Sequence, residues 1–323
     1  MDLNQFFYQI SPEHALQAVE KAGYHVTGRY FQLNSFENRV FDVELEDHPE
    51  GRKNLVVKIY RPERWTLDAI QDELQFLDEL ANQGIPVIKP LPLSNGEKMG
   101  SYQGLEFALF NKVQGRLVQE LTPAQLRQVG RKIAQIHSVG EQQVAENRIN
   151  LTTEDYGWDH LDILENWIAP EVKGRYMKAA EKIFSTYEEL SEDVDFQRIH
   201  GDCHKGNLLI KDHRDQDNEY FFVDFDDFLN GPAIQDFWML LSGPFGEVPQ
   251  ELNALISGYQ ELRHFDEAQI ALLGPLQGLR IIQYAAWIAR RWKDPLFPQT
   301  FPQFRDYIYW AEEVEMLESL ARG

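Results

Sequence analysis

The chain has 323 residues, of which 43% are hydrophobic, and 31 basic against 52 acidic residues give it a formal net charge of −21. This amount of apolar material excludes a disordered chain, and the length suits two packed lobes better than one core. The acidic surplus repels phosphate backbones and anionic lipid surfaces, so we expect neither a nucleic-acid nor a membrane partner.

The first third of the chain predicts a helix followed by antiparallel strands. Ser11-Pro12 is typical of a helix start, and Gly23 ends that helix. Inward and outward side chains alternate over Val40–Leu45 and again over Leu55–Tyr60. The polar run Glu46–Lys53 between them predicts a hairpin loop.

The next segment predicts an amphipathic helix and a further strand. The helix covers Thr66–Asn82 and carries one apolar stripe, formed by Leu67, Ile70, Leu74, Leu77 and Ala81. Three prolines between Ile85 and Leu93 interrupt regular structure. A strand over Glu106–Val113 then ends at Gln114-Gly115.

The remainder is predicted to be mostly helical. One helix starts at Thr122-Pro123, a second runs from about Pro170 to Leu190, and further helices begin near Ala233. Short strands lie around Ile199, Leu208–Ile210 and Tyr220–Val223. The apolar stretch Leu272–Ala289 is interrupted by Gln277, Arg280 and Gln283, which favours a buried helix over a membrane span. We therefore predict an α+β fold with an antiparallel-sheet N-lobe over residues 1–112 and a larger helical C-lobe over residues 113–323.

The strongest chemical signal is the run His200–Asn207, HGDCHKGN, followed by Asp224 at the end of an apolar strand. Phosphoryl transfer needs a positioned hydroxyl and cations over the phosphates, with little covalent chemistry from the protein. Asp202 can accept the hydroxyl proton, while Asn207 and Asp224 offer the hard oxygen ligands that Mg²⁺ prefers. The alternative is a loop whose Asp and Asn side chains only cap neighbouring backbone.

A second signal is Lys58, which lies inside the apolar strand Leu55–Tyr60. A buried lysine needs a partner, and Glu73 lies beside the apolar stripe of the following helix, where an acid is unexpected. The two anomalies predict an ion pair that aims the ammonium group at the phosphates of ATP. The alternatives are a snorkelling lysine with a solvated acid, or Glu79 as the partner.

The loop expected to cover the phosphates is the weakest part of the pattern, because no G-x-G-x-x-G precedes Lys58. Its place is taken by Leu33–Phe41, where Ser35 and its small polar neighbours can turn tightly and offer N–H groups or a hydroxyl to phosphate. An ordinary polar turn is the alternative. Gly23 and Gly28 have P-loop spacing, but Arg29-Tyr30 replaces the required Lys-Ser/Thr.

These motifs resemble the aminoglycoside phosphotransferase and choline kinase branch of the protein-kinase-like fold, which shares the H-x-D-x-x-x-x-N spacing. Longer segments, among them VVKIYRPERWT (Val56–Thr66) and NGPAIQDFWMLL (Asn230–Leu241), resemble the bacterial stress response kinases of that branch. The resemblance implies a cytoplasmic Ser/Thr protein kinase with ATP as donor and Mg²⁺ as cofactor, the ATP lying in a cleft between the lobes. It implies Asp202 and Asp224 as catalytic residues, Asn207 and Asp224 as metal ligands, and Ser35, Lys58 and Glu73 as ATP-binding residues.

Some positions depart from standard protein kinases. Asp226 stands where D-F-G has glycine, and no A-P-E tripeptide follows. We interpret Asp226 and Asp227 as solvated loop acids, with a metal contact as the alternative. Asp236 is expected to brace the catalytic loop by hydrogen bonds, His200 to support the loop, and Cys203 to pack as a small side chain.

Three functions remain open from the sequence. A Ser/Thr protein kinase acting in stress survival is preferred because of the closer resemblance. A small-molecule kinase for an aminoglycoside or choline-like amine would suit the acidic surplus. A non-catalytic nucleotide-binding module is disfavoured, since the proton acceptor and both metal ligands are present. We expect a monomer, and the single cysteine fits a reducing compartment.

Overall fold

The structure is a computed structural model that describes residues 2–47, 53–211, 218–243 and 247–322. The chain forms two compact units: unit 1 comprises Met1–Gln119 and Gly206–Asp226, and unit 2 comprises Glu120–Lys205 and Asp227–Gly323. The sequence predicts a single division between residues 112 and 113, whereas the contacts group Gly206–Asp226 with the first unit. The chain therefore changes units inside the HGDCHKGN run and again after Asp226.

The bounds of the regular elements follow in chain order. The strands are β1 (Val26–Leu33), β2 (Arg39–Leu45), β3 (Asn54–Ile59), β4 (Met99–Tyr102), β5 (Leu105–Asn111), β6 (Arg116–Leu117), β7 (Gln197–Ile199), β8 (Leu208–Lys211), β9 (Glu219–Phe222) and β10 (Leu229–Gly231). The helices are α1 (Leu3–Tyr8), α2 (Pro12–Lys21), α3 (Leu67–Asn82), α4 (Pro123–Gly140), α5 (Asp159–Leu164), α6 (Pro170–Ser191), α7 (Gln235–Trp238), α8 (Pro249–Gln260), α9 (Leu273–Arg291), α10 (Leu296–Thr300) and α11 (Tyr307–Leu320).

Unit 1 is organised around an antiparallel sheet with the strand order β1-β2-β3-β5-β4. Leu55, Val57 and Ile59 on β3 face a buried cluster that α1 and α2 help to close. Because strand side chains alternate between faces, Val56 and Lys58 point to the other side of the sheet. The β2–β3 pairing confirms the predicted hairpin, while residues 48–52 of its predicted loop lie outside the described residues.

Helix α3 begins at a capped end and buries one face. The hydroxyl of Thr66 accepts a hydrogen bond from the Ala69 N–H at 3.1 Å, which satisfies one of the free amides at the helix start. Ile70, Glu73, Leu74, Leu77 and Leu80 are buried. Leu67 is 53% exposed, so its place in the predicted apolar stripe is wrong. Glu73 belongs to the buried face despite its charge.

A smaller sheet, β6-β8-β9, explains why Gly206–Asp226 belongs to unit 1. Strand β8 pairs with β6, and β9 continues the sheet. The Phe222 N–H also donates to the Pro86 carbonyl at 3.1 Å, which ties β9 to the segment after α3. Backbone hydrogen bonds therefore fix this hairpin within unit 1.

Unit 2 is mostly helical, with β7 and β10 forming a two-stranded antiparallel sheet. Helices α4 and α8 pack closely enough that a Cβ at Gly130 would lie 2.1 Å from the Leu255 carbonyl oxygen, so glycine is required there. Helix α9 packs against α5, α6 and α11. Among the described residues, no helix is long and apolar enough to cross a membrane.

Most predicted elements occur within a few residues of their expected bounds. The sequence patterns do not indicate α1, β1 or β4. Strand β1 is exposed along nearly its whole length, so it lacks the alternation of apolar and polar residues by which strands are recognised. Helix α9 confirms the prediction of a buried helix over the apolar stretch that contains Arg280.

Candidate active site

The predicted ion pair between Lys58 and Glu73 is present in unit 1. The Lys58 Nζ lies 2.8 Å from Glu73 Oε1, and the two side chains are 8% and 2% exposed. Strand β3 places the lysine on the face opposite the core, and the second turn of α3 brings the acid to it. The competing acid Glu79 instead accepts a hydrogen bond from Gln75 on its own helix.

Two further carboxylates approach the same ammonium group. Asp226 Oδ1 lies 2.7 Å from Lys58 Nζ, and Asp224 Oδ1 lies 3.8 Å away. Asp226 also pairs with Arg64, whose Nε lies 3.1 Å from Oδ2. The interpretation of Asp226 as a solvated loop acid is therefore wrong: its side chain is buried because two cations hold it.

The charged groups of this cluster differ in exposure. Burial disfavours the charged lysine, but Asp226 and then Glu73 more than offset that cost and hold the pKa of Lys58 well above its ordinary value. Lys58 and Arg64 lie among the carboxylates of Glu73, Asp224 and Asp226. Asp224 is the exposed carboxylate, with 54% of its side chain accessible, so a cation from solution can reach it.

Asp224 and Asn207 lie at the same end of the β8–β9 hairpin. Leu208 pairs with Phe222, and the Val223 N–H donates to the Asn207 carbonyl at 3.0 Å, so the ladder continues one residue towards Asp224. Asp224 then turns out of the ladder with φ 61°, a left-handed conformation that Asp and Asn tolerate better than most residues.

The donor set at this hairpin end fits a magnesium ion. A carboxylate and an amide are hard oxygen ligands, and Mg²⁺ is commonly held by one or two carboxylates with water and substrate phosphates completing its shell. Across the described ranges, no group of three or more His, Cys, Asp or Glu side chains is arranged to hold a metal by itself. The other positions around a metal here would be filled by water or by oxygens of a bound nucleotide.

Within the segment Leu33–Phe41, the end of β1 and the start of β2 are joined by a turn. Two arginines fix this turn, and the sequence patterns do not single them out. The Arg61 guanidinium donates to the carbonyls of Glu37 at 2.8 Å and Phe36 at 3.0 Å. Arg64 pairs with the Glu37 carboxylate at 2.8 Å and thereby links this turn to Asp226. The sequence feature that could have indicated these contacts is the presence of two arginines directly after the buried strand β3.

Ser35 lies at the start of this turn. Its hydroxyl oxygen accepts a hydrogen bond from the Asn38 N–H at 3.2 Å, which is the short side-chain turn expected of serine. The hydroxyl hydrogen is left for another acceptor. The contact supports a tight polar turn, and a role for Ser35 towards ATP stays a prediction.

In unit 2, the backbone before Asp202 is held by Asp236. The N–H groups of His200 and Gly201 each donate to the Asp236 carboxylate at 2.8 Å, and His137 completes the network at 3.0 Å. Gly201 has φ 79°, and a Cβ there would lie 2.4 Å from the Asp227 carbonyl oxygen, so only glycine fits. The predicted bracing by Asp236 is confirmed.

The Asp202 carboxylate is paired with an arginine of α9. Arg280 Nη2 lies 2.7 Å from Asp202 Oδ1, and His204 Nε2 lies 3.5 Å from Oδ2. Burial disfavours the ionised carboxylate, but Arg280 and then His204 more than offset it and hold the pKa of Asp202 below its usual range. Sequence reasoning treats Arg280 only as an interruption of an apolar stretch; that interruption was the available signal.

The other loop residues play the supporting parts expected of them. His200 is buried, and its backbone N–H supports the loop by donating a hydrogen bond to Asp236. Cys203 is also buried, and burial raises the pKa of its thiol well above the ordinary value, which leaves it unreactive. Cys203 is therefore a packing residue, as predicted.

A cavity of about 890 Å³ in unit 1 lies apart from the Lys58 cluster. Its lining includes Lys53, Lys89, Lys112 and Lys211 and shares no residue with the ion pairs of Lys58. We place the candidate site at the ion pairs of Lys58, because oxygens that suit a metal lie beside them, and not in this open groove.

Comparison with known sequences identifies the family. Residues 32–273 match the family described as phosphotransferase enzyme family. Stress response kinase A of Salmonella choleraesuis (strain SC-B67) is 37% identical over 317 residues, covering 97% of this chain and 93% of that protein. The serine/threonine protein kinase RdoA of Salmonella typhimurium (strain LT2) matches with the same identity and coverage.

Solved structures share the fold at low sequence identity. An amicoumacin kinase in complex with AMP-PNP, Ca²⁺ and amicoumacin superposes with a TM-score of 0.77 at 19% identity, covering 98% of this chain and 95% of that one. A microcompartment-associated aminopropanol kinase gives 0.72 at 19%, covering 96% and 95%. The predicted two-lobed, protein-kinase-like α+β fold and the resemblance to stress response kinases are thus confirmed. We conclude that this chain belongs to the phosphotransferase enzyme family and is an ATP-dependent kinase.

Proposed function

We propose that this kinase transfers the γ-phosphoryl group of MgATP to Ser or Thr hydroxyls of a protein substrate, as part of a stress response. The observation that carries the proposal is the buried Lys58–Glu73 pair with the exposed carboxylate of Asp224 beside it. A fixed ammonium group next to hard oxygen ligands that suit Mg²⁺ is what binding of a nucleoside triphosphate requires. The protein acceptor and the stress role come from the names of the relatives that match nearly the whole chain.

In the proposed mechanism, unit 1 binds the nucleotide. Glu73 holds the Lys58 side chain in place, and the ammonium group neutralises phosphate oxygens. Asp224 and Asn207 would hold Mg²⁺, which when bound supplies positive charge over the β- and γ-phosphates. The turn that contains Ser35 would cover the phosphates, with Arg61 and Arg64 keeping it closed.

Asp202 is proposed to orient the acceptor hydroxyl and take its proton. Asn207 follows five positions later, and a fully extended chain of that length spans roughly 18 Å at most, so the covalent chain keeps the two near one another. The hydroxyl oxygen attacks the γ-phosphorus, the bond to the β-phosphate oxygen breaks, and ADP leaves with that electron pair.

A small-molecule acceptor is the second candidate, because the structurally similar proteins include an amicoumacin kinase and an aminopropanol kinase. The low identity of these neighbours limits the likeness to the fold. The cation beside Asp202 argues against an amine acceptor, since Arg280 would repel a positively charged group placed next to that carboxylate.

Incubation with radiolabelled ATP and Mg²⁺ tests the proposal. The acceptors are the enzyme itself, dephosphorylated casein, and a panel of aminoglycosides and amino alcohols, with the Asp202→Ala variant as the control. The proposal predicts acid-stable label on serine or threonine of a protein, absent with the variant. Label only on the small amines would favour the second candidate, and nucleotide binding without any transfer would contradict both.

A further inference from the structure

The charged partner of Asp202 is built into the interior of unit 2. Arg280 lies on α9 between Leu279 and Ile282, both fully buried, and only 23% of its own side chain is exposed. Its Nη2 meets Asp202 Oδ1 at 2.7 Å, while Nη1 donates to the Gln283 side chain at 3.2 Å. A planar guanidinium bonded at both ends has one preferred orientation, so it acts as a fixed point for the carboxylate.

Other groups complete the surroundings of this pair. Arg280 also has a hydrogen bond with Tyr156 and an electrostatic contact with Asp227. The titratable and charged groups around the Asp202 carboxylate are Arg280, Tyr156, His200, Cys203, His204, Asp227 and Asp236. Of these, Arg280 makes the shortest described contact with the carboxylate, and it bonds a single oxygen.

Both oxygens of Asp202 have a described contact. Oδ1 meets Arg280 at 2.7 Å, and Oδ2 lies 3.5 Å from His204, which is 40% exposed. The arginine contact is the shorter one, and a buried, planar guanidinium makes it. It is therefore the contact that can fix the orientation of the carboxylate.

We propose that Arg280 is a positioning residue that holds Asp202 through Oδ1 and so keeps the carboxylate in the orientation that receives the acceptor hydroxyl. This inference rests on the proposed function. As the bond between the hydroxyl oxygen and the γ-phosphorus forms and the bond from that phosphorus to the β-phosphate oxygen breaks, the hydroxyl proton passes to the Asp202 carboxylate and later to solvent. The arginine keeps its own proton and its bond to Oδ1 throughout, because an arginine is not deprotonated in proteins.

Two substitutions separate the charge of Arg280 from its geometry. Arg280→Met removes both, while Arg280→Lys keeps a positive charge without the fork. Misplacing a reacting group by about 1 Å costs on the order of 10²-fold in rate, so we expect that loss in kcat for Arg280→Met, with the KM for ATP unchanged. Arg280→Lys should retain part of the lost rate.

The pH profile distinguishes positioning of Asp202 from a merely structural ion pair. In the parent enzyme Arg280 opposes the effect of burial, so no loss of kcat/KM is expected at mildly acid pH. In Arg280→Met the carboxylate loses that cation, and the acid limb should move up to roughly pH 4 or above. In Arg280→Lys the limb should stay near the parent position.

The matched control is Arg175→Met. Arg175 donates to both oxygens of Glu318 at 2.8 and 2.7 Å, so this variant also removes an arginine–carboxylate pair from unit 2 while leaving Asp202 intact. Its kcat and pH profile should match those of the parent. Circular dichroism on every variant checks folding. If Arg280→Met does not fold, Arg280→Lys is the test: a partly reduced kcat with an unmoved acid limb supports the positioning role, and a parent-like kcat contradicts it.

The outcomes separate this inference from the function on which it rests. A parent enzyme that transfers no phosphoryl group would overturn the proposed function. A parent enzyme that transfers normally, with Arg280→Met folded, equally fast and unshifted in its acid limb, would overturn the positioning role alone. A rate loss without a shifted limb, equal in Arg280→Met and Arg280→Lys, would assign Arg280 a structural role only and also overturn it.

Discussion

Unit 1 and unit 2 each bury a charged group that phosphoryl transfer would use, but they neutralise it differently. In unit 1, Lys58 meets two buried carboxylates and a third that is exposed. In unit 2, Asp202 meets one buried arginine. The first arrangement includes an exposed carboxylate, Asp224, and the second is a single close pair between a carboxylate and a buried guanidinium. A site that binds a metal and phosphates benefits from an accessible carboxylate, whereas a carboxylate that must stay in one orientation benefits from a fixed partner.

A third buried group shows what the arginine contributes. Glu313 on α11 is 5% exposed and accepts hydrogen bonds from Tyr176 and Tyr309. These described partners are neutral hydroxyl groups. Burial raises the pKa of Glu313 to about 7. Burial acts in the same direction on Asp202, yet its pKa is lowered, because Arg280 is present. The cation, and not the depth of burial, decides which acid is ionised.

The largest effect is expected at Asp202. Replacing it with alanine should lower phosphoryl transfer by about 10²–10⁴-fold, the usual contribution of a positioned general base, while nucleotide binding is retained. Single-turnover transfer of labelled phosphate and a separate nucleotide titration measure the two quantities. Transfer at the parent rate would remove Asp202 from the chemistry, and loss of nucleotide binding would move it into the nucleotide site.

Lys58→Met should destabilise the fold strongly. It leaves Glu73 and Asp226 buried without their shared cation, and breaking a buried ion pair costs roughly 3–5 kcal/mol. Urea unfolding followed by fluorescence gives the free energy of unfolding. The control is Lys98→Met, because Lys98 is half-exposed and pairs with Asp78, where a loss within about 1 kcal/mol is expected. Equal losses in both variants would contradict a buried cluster.

Glu313→Gln should change how stability depends on pH. The folded-state pKa of Glu313 is raised from 4.5 to about 7, so its stabilising effect is complete below about pH 4.5 and is lost as pH rises to about 7. At about 1.36 kcal/mol per pKa unit, the parent should lose about 3 kcal/mol more than the variant over that window. Urea unfolding at a series of pH values measures the difference, and Glu318→Gln on the same helix should show none. Parallel curves would contradict the assigned shift.

The smallest effect on stability is expected at Asp224. Asn tolerates the left-handed backbone, and the exposed Asp224 pairs only loosely with Lys58, so Asp224→Asn should change the free energy of unfolding by less than about 1 kcal/mol. The affinity of the Asp224→Asn variant for nucleotide should no longer depend on Mg²⁺. The matched variant Asp226→Asn removes a buried partner of Lys58 and should be clearly the less stable. The reverse order of stabilities would break the comparison between exposed and buried carboxylates.

The sequence predicts the elements and pairs that rest on local pattern. The alternation in β3, the stripe of α3 and the cost of burying Lys58 are enough to predict its pair with Glu73, which is present at 2.8 Å. The bracing role of Asp236 is likewise predicted, from its place at a helix start before the apolar run Trp238–Leu241. A charged residue such as Lys58 or Glu73 in an apolar segment stands out in the sequence, so its need for a partner can be predicted.

What the sequence does not reveal depends on distant partners. Asp226 looks like one acid among several until Lys58 and Arg64 are found around it. Arg280 lies 78 residues from Asp202, and no spacing rule connects them. Strand β1 escapes detection because both of its faces are exposed, so its hydrogen bonds to β2 define it and its side chains do not.

The central claim is that Asp202, Asn207 and Asp224 act on one magnesium-bound nucleotide. A crystal structure with Mg²⁺ and a non-hydrolysable ATP analogue tests it most directly. We predict a metal ligated by the Asn207 amide oxygen and the Asp224 carboxylate, phosphates at Lys58, and the γ-phosphate facing the carboxylate of Asp202. A nucleotide bound elsewhere, such as in the lysine-lined cavity of unit 1, or a metal without these two ligands, would contradict it.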